Sequence, residues 1–433
     1  MYVAFDDTDS ISSMCTTFLA TEVVRALSDL DLIGHPRLVR LNPAVPWKTR
    51  GNGALALRFG VGRGRATTIG RIAGKDVLCY PECRAEADRD HVLETCSRLI
   101  DRWSRTQEDA SPGLVVSERR PTPSLYWQAV RGIVARTTVE EELRRLGADT
   151  YQLAGGRGII GAAAAMAWRP RDRTYEALVY RRKAAWGTPR KVNVEDVGRL
   201  DELFPSTFNN FDHQAGRTAI VPHSTCPILF GVRGDNAEEV ALAAASVRSE
   251  PKDRWLVFLS NQGTDDHVVR GAADLRPWSS YLIRGQVLSV PRTIAGGHVL
   301  FRLRTEGGQE LDCAAYEPSK GFRAIVRKLS QGDVVEVMGE LRETPRTLNL
   351  EKLHVIQLAV RKAKAPNPIC PECGKRMGSM GREGGFRCKR CRTKADVRGE
   401  GQAVERDISL GWYEPPVRSR RHISKPLKRM GMA

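Results

Sequence analysis

The stretch Tyr2-Val-Ala-Phe-Asp-Asp-Thr-Asp-Ser10 decides the N-terminal fold. Its apolar start, Tyr2 to Phe5, predicts a buried strand that stops at an acidic loop. Beyond this loop, apolar residues from Leu19 to Leu27 recur at helical spacing, which predicts a helix packed on a core. Strand, acidic loop and helix in this order place the loop at the sheet edge where α/β folds bind their ligands.

Predicted strands and helices alternate further along the chain. An Ala-rich helix is predicted after the glycine-rich segment 155–158, and Asp235 or Asn236 can cap a helix that ends near Val247. A polar, proline-containing stretch over residues 105–123 predicts a linker or a long surface loop. This alternation indicates α/β or ferredoxin-like α+β layers. Apolar runs predict strands at residues 54–59, 177–181, 219–222, 228–232 and 255–260.

From Tyr281 onward the pattern changes to short β-strands, with Gly-Gly pairs at the first turns. Five strands with one helix between the third and the fourth is the order of an OB-fold, which commonly binds oligonucleotides. Any other small β-barrel is the alternative. The strands are predicted at residues 281–290, 298–305, 310–316, 334–341 and 348–356, and the helix at 322–329.

The charge of the chain is concentrated at its C-terminal end. The 433 residues carry a formal net charge of +17, and residues 361–433 contain 19 basic and 7 acidic side chains. Such a surplus predicts a polyanionic partner. The 41% of hydrophobic residues excludes a mostly disordered chain, and the length indicates about three domains. No apolar run approaches the ~20 residues that span a bilayer, and the start lacks the pattern of a signal peptide, so a cytoplasmic protein without a membrane partner is expected.

Four of the ten cysteines form two Cys-x-x-Cys pairs separated by 14 residues. Four thiolates can close a tetrahedral shell around zinc and leave no position for water, so a structural zinc site at Cys370, Cys373, Cys388 and Cys391 is predicted. Four free thiols are the alternative. Basic residues around the pairs are candidates for binding RNA phosphates, and those of the C-terminal end form either a phosphate-binding arm or a solvated tail. These candidates are Lys375, Arg376, Arg387, Lys389, Arg390, Arg392, Arg420 and Arg421.

The acidic loop offers three carboxylates within four residues, Asp6, Asp7 and Asp9, which could hold magnesium. The alternative is a solvated turn in which Asp9 or Ser10 caps the following helix.

The segment Lys48-Thr-Arg-Gly-Asn-Gly53 combines two cations with two glycines, so backbone amides could approach phosphates that the cations neutralise. It lacks the spacing of a Walker A loop, and a plain hairpin turn at Asn52-Gly53 is the alternative. Asp265 and His267 follow a predicted strand and are either ligand-binding or structural.

A series of short motifs resembles the archaeal tRNA(Ile) 2-agmatinylcytidine synthetase (TiaS) family. The resemblance spans nearly the whole chain. Its motifs are Phe5-Asp-Asp-Thr-Asp-Ser10, Met14-Cys-Thr-Thr17, Leu41-Asn-Pro43, Lys48-Thr-Arg-Gly-Asn-Gly-Ala54, Arg157-Gly158, Ile160-Gly-Ala162, Asn209, Cys226-Pro227, Gly231, Arg233-Gly234, Glu250-Pro251, Gly296-Gly-His-Val299, the segment from Cys370 to Cys391, Arg420-Arg-His422 and Ser424-Lys-Pro-Leu427.

The resemblance implies an ATP-dependent tRNA-modifying ligase that attaches agmatine to carbon 2 of the wobble cytidine of the AUA-decoding isoleucine tRNA. The 2-oxo group is phosphorylated and then displaced by the amine, giving agmatidine with AMP and phosphates. ATP, magnesium and zinc are the implied cofactors. The implied architecture is a kinase-like domain (residues 1–115, with part of 150–200 in question), a ferredoxin-like domain (116–275), an OB-fold (276–362), a zinc ribbon (366–396) and a basic tail (397–433).

The resemblance also implies roles for single residues. Asp6, Asp7 and Asp9 would manage magnesium and ATP, Lys48 and Arg50 would face phosphates, and Thr16 matches the family's autophosphorylated threonine. Ser13 departs from the family's usual glycine, which puts the conformation of this loop in question. Further candidates are Thr8, Ser10, Gly51, Asn52 and Gly53 for ATP, and Asp265 and His267 for agmatine.

Two other functions compete with this interpretation. One is a non-catalytic protein that binds RNA through the OB-fold and the ribbon, and the other is a magnesium-dependent nuclease that uses the aspartates. The segment from Lys48 to Gly53 favours the kinase-like enzyme, because a binding module needs no nucleotide site beside carboxylates.

Overall fold

The computed structural model describes residues 1–361, 363, 366–381, 384–396 and 403–432. The strands of the first 260 residues are β1 Tyr2–Asp6, β2 Asp31–Ile33, β3 Arg37–Arg40, β4 Gly53–Arg63, β5 Thr67–Ile72, β6 Lys75–Tyr80, β7 Glu82–Glu86, β8 Gly113–Ser117, β9 Asp149–Gln152, β10 Thr174–Arg181, β11 Thr207–Phe208, β12 Phe211–Asp212, β13 Arg217–Thr218, β14 Ile228–Gly234 and β15 Lys252–Ser260. The helices are α1 Thr16–Ala26, α2 Arg89–Trp103, α3 Pro123–Arg131, α4 Arg136–Leu146, α5 Ile159–Ala167, α6 Val194–Gly198, α7 Leu200–Leu203 and α8 Ala237–Ser246.

One 13-stranded sheet runs through this part of the chain in the order β11-β14-β10-β15-β5-β6-β2-β4-β1-β8-β9, with β7 paired to β4. Strand β3 pairs with both β4 and β15, so it joins the early strands to the late ones. Helix α5 packs on β1 and β4. The sheet therefore joins the N-terminal loops and the segment around residues 207–234 in one unit, residues 1–260, which we call the body.

The predicted strand, acidic loop and helix are confirmed. Strand β1 lies between β4 and β8 and is paired antiparallel to both. Helix α1 begins after Cys15, whose side chain makes no capping hydrogen bond. The alternative in which Asp9 or Ser10 caps this helix is therefore wrong.

The linker expected over residues 105–123 is wrong, because β8 lies inside it. This strand is buried along its whole length and pairs with β1 and β9. Its apolar run is short and flanked by turn-forming residues, so local composition hid it. The strand expected at 219–222 is also absent there; β13 ends at Thr218 and β14 begins at Ile228. The strands predicted at 54–59, 177–181, 228–232 and 255–260 and the helix capped by Asn236 are present.

The next part of the chain is a closed β-barrel. Its elements are β16 Val268–Arg270, β17 Ser279–Val287, β18 Arg292–Thr293, β19 Val299–Thr305, β20 Glu310–Ala315, α9 Gly321–Arg327, β21 Val334–Leu341 and β22 Thr347–Gln357. The ring closes through the pairs β17–β19, β19–β20, β20–β22, β22–β21 and β21–β17. Helix α9 lies between the third and the fourth barrel strand, which confirms the strand and helix order predicted from the sequence.

A small three-stranded sheet follows, with β23 Gly378–Ser379, β24 Phe386–Arg387 and β25 Lys394–Ala395. Residues 411–432, which we call the C-terminal arm, then return to the body. The arm starts with β26 Gly411–Tyr413, which pairs with β22 of the barrel. Ile423 is buried among residues of α3 and α5. The arm is therefore a packed element and the alternative of a solvated tail is wrong for it; residues 397–402 and 433 of the expected tail lie outside the described residues.

None of the helices in the described ranges is long and apolar enough to cross a membrane.

Candidate active site

A cavity of about 990 Å³ opens where the acidic loop, the Lys48 to Gly53 segment and the C-terminal arm meet. The sequence-predicted residues on its wall are Asp6, Asp7, Asp9, Thr16, Lys48, Arg50, Gly51, Asn52, Gly53, Arg420 and Arg421. Other charged or polar residues on the wall are Arg40, Arg157, Glu176, Asn209, His223, Arg233, Arg418 and His422. The structure thus brings together motifs that are up to about 400 residues apart in the sequence.

Asp6 is the last residue of β1, Asp7 follows it, and both line this cavity. The Arg157 guanidinium donates to Asp7 through Nη2, at 2.8 Å from Oδ2, and through Nε, at 3.2 Å. Burial raises the pKa of Asp7 against the opposing charge of Arg157. Burial, and then the charge of Asp7, raises the pKa of Asp6 well above its usual range. Carboxylate oxygens are the donors that hard cations such as Mg²⁺ take in proteins.

Asp9 links the acidic loop to the segment from Lys48 to Gly53, which we call the basic loop. Its Oδ1 accepts hydrogen bonds from the Thr16 hydroxyl at 3.3 Å and from the Thr49 hydroxyl at 3.2 Å, and its Oδ2 is paired with Arg50. Thr8 also donates to the Thr16 hydroxyl, at 3.2 Å. The Thr16 oxygen is therefore oriented by two residues of the acidic loop.

Several of the residues on the wall have left-handed backbones that favour glycine. Asp7, Arg50, Asn52 and Asn209 have φ of 58°, 38°, 46° and 57°. Such conformations cost free energy in a non-glycine residue and cluster at functional sites. A positive φ at Asn52 is by itself compatible with an Asn-Gly turn. However, β3 ends at Arg40 and β4 begins at Gly53, so the twelve residues 41–52 connect these strands and a plain hairpin turn at Asn52-Gly53 is wrong.

The cations of the basic loop differ in how free they are. Arg50 is paired with Asp9 and also donates to Ser224 Oγ at 3.2 Å. Lys48 contacts only the Val45 carbonyl, at 3.3 Å, among the hydrogen bonds of the described residues, and desolvation followed by the charge of Arg421 lowers its pKa. Gly51 and Gly53 lie against the Arg40 guanidinium, since a Cβ on either would stand 2.7 or 2.9 Å from Nη1.

Thr8 and Ser10, which were expected to bind ATP, are buried and do not line the cavity. Their side chains instead contact other residues. Ser10 contacts the carboxylate of Glu108, which sequence reasoning missed. Ser13 donates to Glu108 Oε1 at 2.9 Å and accepts from Arg105 Nε at 3.2 Å. The serine at position 13 therefore ties the acidic loop to the segment after α2, a contact that glycine could not make.

The C-terminal arm supplies part of the wall. Arg420 donates to Asn209 Oδ1 at 2.8 Å and is paired with Glu414 at 2.9 Å. Arg421 is paired with Glu340 and, at 3.4 Å, with Glu351, both on barrel strands. These two arginines, expected to bind RNA, hold the arm in place in this structure. The Arg-Arg-His motif marked these residues as functional in the sequence. The neighbouring residues, however, gave no sign that the chain returns to the body at this point.

Asp265 and His267 lie outside the cavity. Lys352 Nζ donates to Asp265 at 2.7 and 2.8 Å, and the Lys425 backbone N–H donates to it at 2.7 Å. His267 is buried and is 3.0 Å from Glu351. Both side chains make contacts that hold the barrel, the body and the arm together. The structure therefore does not place them beside the candidate residues that line the cavity.

The four cysteines of the small sheet converge. The sulfur atoms of Cys370, Cys373, Cys388 and Cys391 all lie within 4.8 Å of one another. This distance and the four-thiolate donor set fit a tetrahedral zinc ion. The six surrounding basic residues, Lys375, Arg376, Arg387, Lys389, Arg390 and Arg392, are exposed or half-exposed.

Fold and sites together define a multidomain protein with a cavity formed between the acidic loop and the Lys48 to Gly53 segment, a β-barrel and a C-terminal ribbon with four cysteines. Three family models match it: the TiaS TCKD domain over residues 2–155, the TiaS FLD domain over 156–267 and the TiaS C-terminal zinc ribbon domain over 367–408. The chain belongs to the TiaS family, whose members are named as 2-agmatinylcytidine synthetases of an isoleucine tRNA.

Individual relatives match over nearly their full length. The chain is 39% identical to the 2-agmatinylcytidine synthetase TiaS of Archaeoglobus fulgidus, covering 100% of this chain and 98% of the relative. It is 38% identical to that of Methanosarcina acetivorans, covering 99% and 97%. Among solved structures, a complex of TiaS with an isoleucine tRNA and ATP has a TM-score of 0.87 at 37% identity. A complex of TiaS with an isoleucine tRNA, AMPCPP and agmatine has a TM-score of 0.83 at 34%; each covers 99% of this chain and 97% of the solved chain.

Proposed function

We propose that this protein is an ATP-dependent ligase that attaches agmatine to carbon 2 of the wobble cytidine of the AUA-decoding isoleucine tRNA. The observation that carries the proposal is that Asp6, Asp7 and Asp9 line the same cavity as the Lys48 to Gly53 segment. Identities of 34–39% over whole chains to relatives named for this reaction support it.

The chemistry requires two kinds of group, and the cavity offers both. The amide-like 2-oxo group is a poor leaving group until phosphorylation turns it into a phosphate ester that an amine can displace. Phosphoryl transfer then needs cations around the developing negative charge and a fixed geometry. Lys48, Arg50 and the backbone of Gly51 to Gly53 would face the phosphates of ATP in this scheme.

Asp6 and Asp7 would hold magnesium. Both residues line the cavity that also contains the Lys48 to Gly53 segment, and their carboxylate oxygens are ligands that magnesium takes. Asp9 already bridges Arg50 and Thr16, so its proposed share is to position these two residues. Magnesium would neutralise phosphate charge, and this chain's residues would orient the reacting groups.

The architecture belongs to the proposal as well. The body would combine a kinase-like unit with a ferredoxin-like unit. The boundary between them, expected at residue 115, would instead lie near residue 155 where two family models meet, and the end of the second unit, expected at residue 275, near residue 267. The barrel and the ribbon would bind tRNA. The exposed basic residues around the four cysteines, such as Lys389 and Arg390, carry the charge that phosphate contacts need.

The test is the dependence of AMP formation on each substrate. We expect AMP from ATP only when the cognate tRNA transcript is present, and none when the wobble cytidine is replaced by uridine. AMP formation at the same rate with uridine at the wobble position would contradict the proposal. Cleavage of the RNA without formation of AMP would favour the nuclease alternative.

A further inference from the structure

The C-terminal arm carries a histidine to the wall of the cavity. The carbonyl of His422 accepts the Gly263 N–H at 2.9 Å, and the carbonyl of Ile423 accepts the N–H groups of Thr264 and Asp265 at 3.1 and 3.0 Å. The side chain of Ile423 is buried in the core beside α3 and α5. The position of His422 is therefore fixed from both the backbone and the core.

The imidazole lies against the basic loop. Its Cδ2 is 3.3 Å from the point where a Cβ on Gly51 would stand, and the preceding residue, Arg50, pairs with Asp9 of the acidic loop. The ring thus adjoins the segment proposed to face the phosphates.

The other carboxylates and histidines on the wall are paired with arginines, as Asp9 is with Arg50, except Asp6, which is proposed to hold magnesium. His223 Nε2 accepts a hydrogen bond from Arg418 at 3.0 Å, because a guanidinium can only donate. Glu176 is paired with Arg233 at 2.9 Å, and Asp7 with Arg157 at 2.8 Å. By contrast, across the ranges that the structure describes, no hydrogen bond engages the ring nitrogens of His422.

We propose that His422 accepts the proton that the incoming primary amine must lose before it attacks the activated cytidine. This inference rests on the proposed function. The amine reaches the enzyme as an ammonium ion, whose nitrogen has no lone pair. The imidazole takes one proton, and the freed lone pair forms the bond to carbon 2. The bond from carbon 2 to the phosphate oxygen breaks, and its electron pair leaves with the phosphate, which takes a second proton from the nitrogen.

The charges around the ring suit this role. The His422 side chain is exposed to the cavity, and partial desolvation, followed by the charges of Arg233 and Arg40, lowers its pKa below the usual range. Phosphate groups that enter the cavity oppose these positive charges and raise the pKa back toward neutrality. A base is most effective when its pKa lies near the working pH.

The test compares single-turnover amine transfer in His422→Ala with that in the native protein, at saturating agmatine and several pH values from about 7 to 9. His91→Ala, at an exposed histidine on α2, is the matched control. We expect the rate of His422→Ala to fall roughly 100-fold at pH 7 and to rise about tenfold per pH unit, because only free amine then reacts. The native protein and the control should stay nearly flat over this range.

The outcomes separate the two proposals. An undiminished rate in His422→Ala, or a loss with the flat pH profile of the native protein, would overturn the assignment of His422. Absence of agmatine transfer by the native protein would instead overturn the proposed function. If circular dichroism shows that His422→Ala does not fold, His422→Asn is measured in its place with the same expectations.

Discussion

Arg157 and Asp7, which both line the cavity, form an ion pair of 2.8 Å between Nη2 and Oδ2. Arg157 lies just before α5 and Asp7 directly after β1, so the pair joins two parts of the site that are 150 residues apart in sequence. The Arg157 guanidinium has further N–H donors, which can stabilise a second negative group in the cavity, such as a phosphate.

Replacing Asp7 by Asn should therefore remove catalysis without unfolding the chain. We expect ATP turnover to fall at least about 100-fold, because the cation and phosphate charges lose a partner, while tRNA affinity stays within about twofold. Asp109→Asn, which removes an exposed charge near Asp7, is the matched control. Loss of tRNA binding together with an unfolded circular dichroism spectrum would refute the catalytic assignment.

Thr16→Ala should abolish incorporation of labelled phosphate from ATP into the protein. The Thr16 oxygen lies beside Asp9, whereas the Thr17 hydroxyl contacts Cys15 Sγ at 3.0 Å. Thr17→Ala should therefore keep the phosphate, and peptide mass spectrometry distinguishes the two variants. Phosphate that persists in Thr16→Ala would show that another residue is modified.

Gly161→Ala should destabilise the body. A Cβ at this position would overlap the Asp6 carboxylate, and forcing extra atoms into a packed interior costs about 1–3 kcal/mol. Gly198→Ala is the control, because the nearest atom to its added Cβ is a Phe211 ring carbon at 3.9 Å. Thermal unfolding should show a lower midpoint for the first variant only; equal midpoints would mean that α5 shifts without cost.

Cys388→Ser should unfold the ribbon locally and weaken tRNA binding about tenfold or more, since structural zinc and folding are coupled in such small units. Binding of ATP should be unaffected, because the described wall of the cavity contains no residue of the ribbon. A chelator should reproduce the effect in the native protein. Unchanged tRNA affinity in both experiments would rule out the ribbon as a tRNA-binding element.

The contact between barrel and arm should weaken in acid. Burial alone would raise the pKa of Glu351, but the charges of Arg421 and then His267 outweigh it and lower the pKa to about 2. The unfolded value is about 4.3, so the stabilisation is complete above about pH 5 and is lost as the pH falls toward 2.

Glu351→Gln tests this directly. The difference in melting temperature between native protein and variant should be largest near neutral pH and shrink below about pH 5. Glu306→Gln, in an exposed pair with Arg284, should show no such trend. A difference that is constant with pH would mean that the Glu351 charge contributes nothing to stability.

Local signals explain which parts of the structure the sequence predicted. The strand before Asp6, the barrel strands after Tyr281 and the cysteine spacing each depend on neighbouring residues, and all are present. Strand β8 and the return of the arm depend on distant partners, since β8 is recognisable only from its place between β1 and β9. For the same reason the contacts of Arg157 and His422 with the cavity could not be predicted from their neighbours.

The most direct test of the central claim is incorporation of labelled agmatine into the cognate AUA-decoding tRNA transcript. The protein is incubated with ATP, magnesium and the transcript, and the digested RNA is analysed by mass spectrometry. We expect a labelled nucleoside at the wobble position that requires both ATP and agmatine. Consumption of ATP without label in the RNA would show that the amine or the tRNA is wrong, and folded protein that binds RNA but does neither would contradict the enzymatic account.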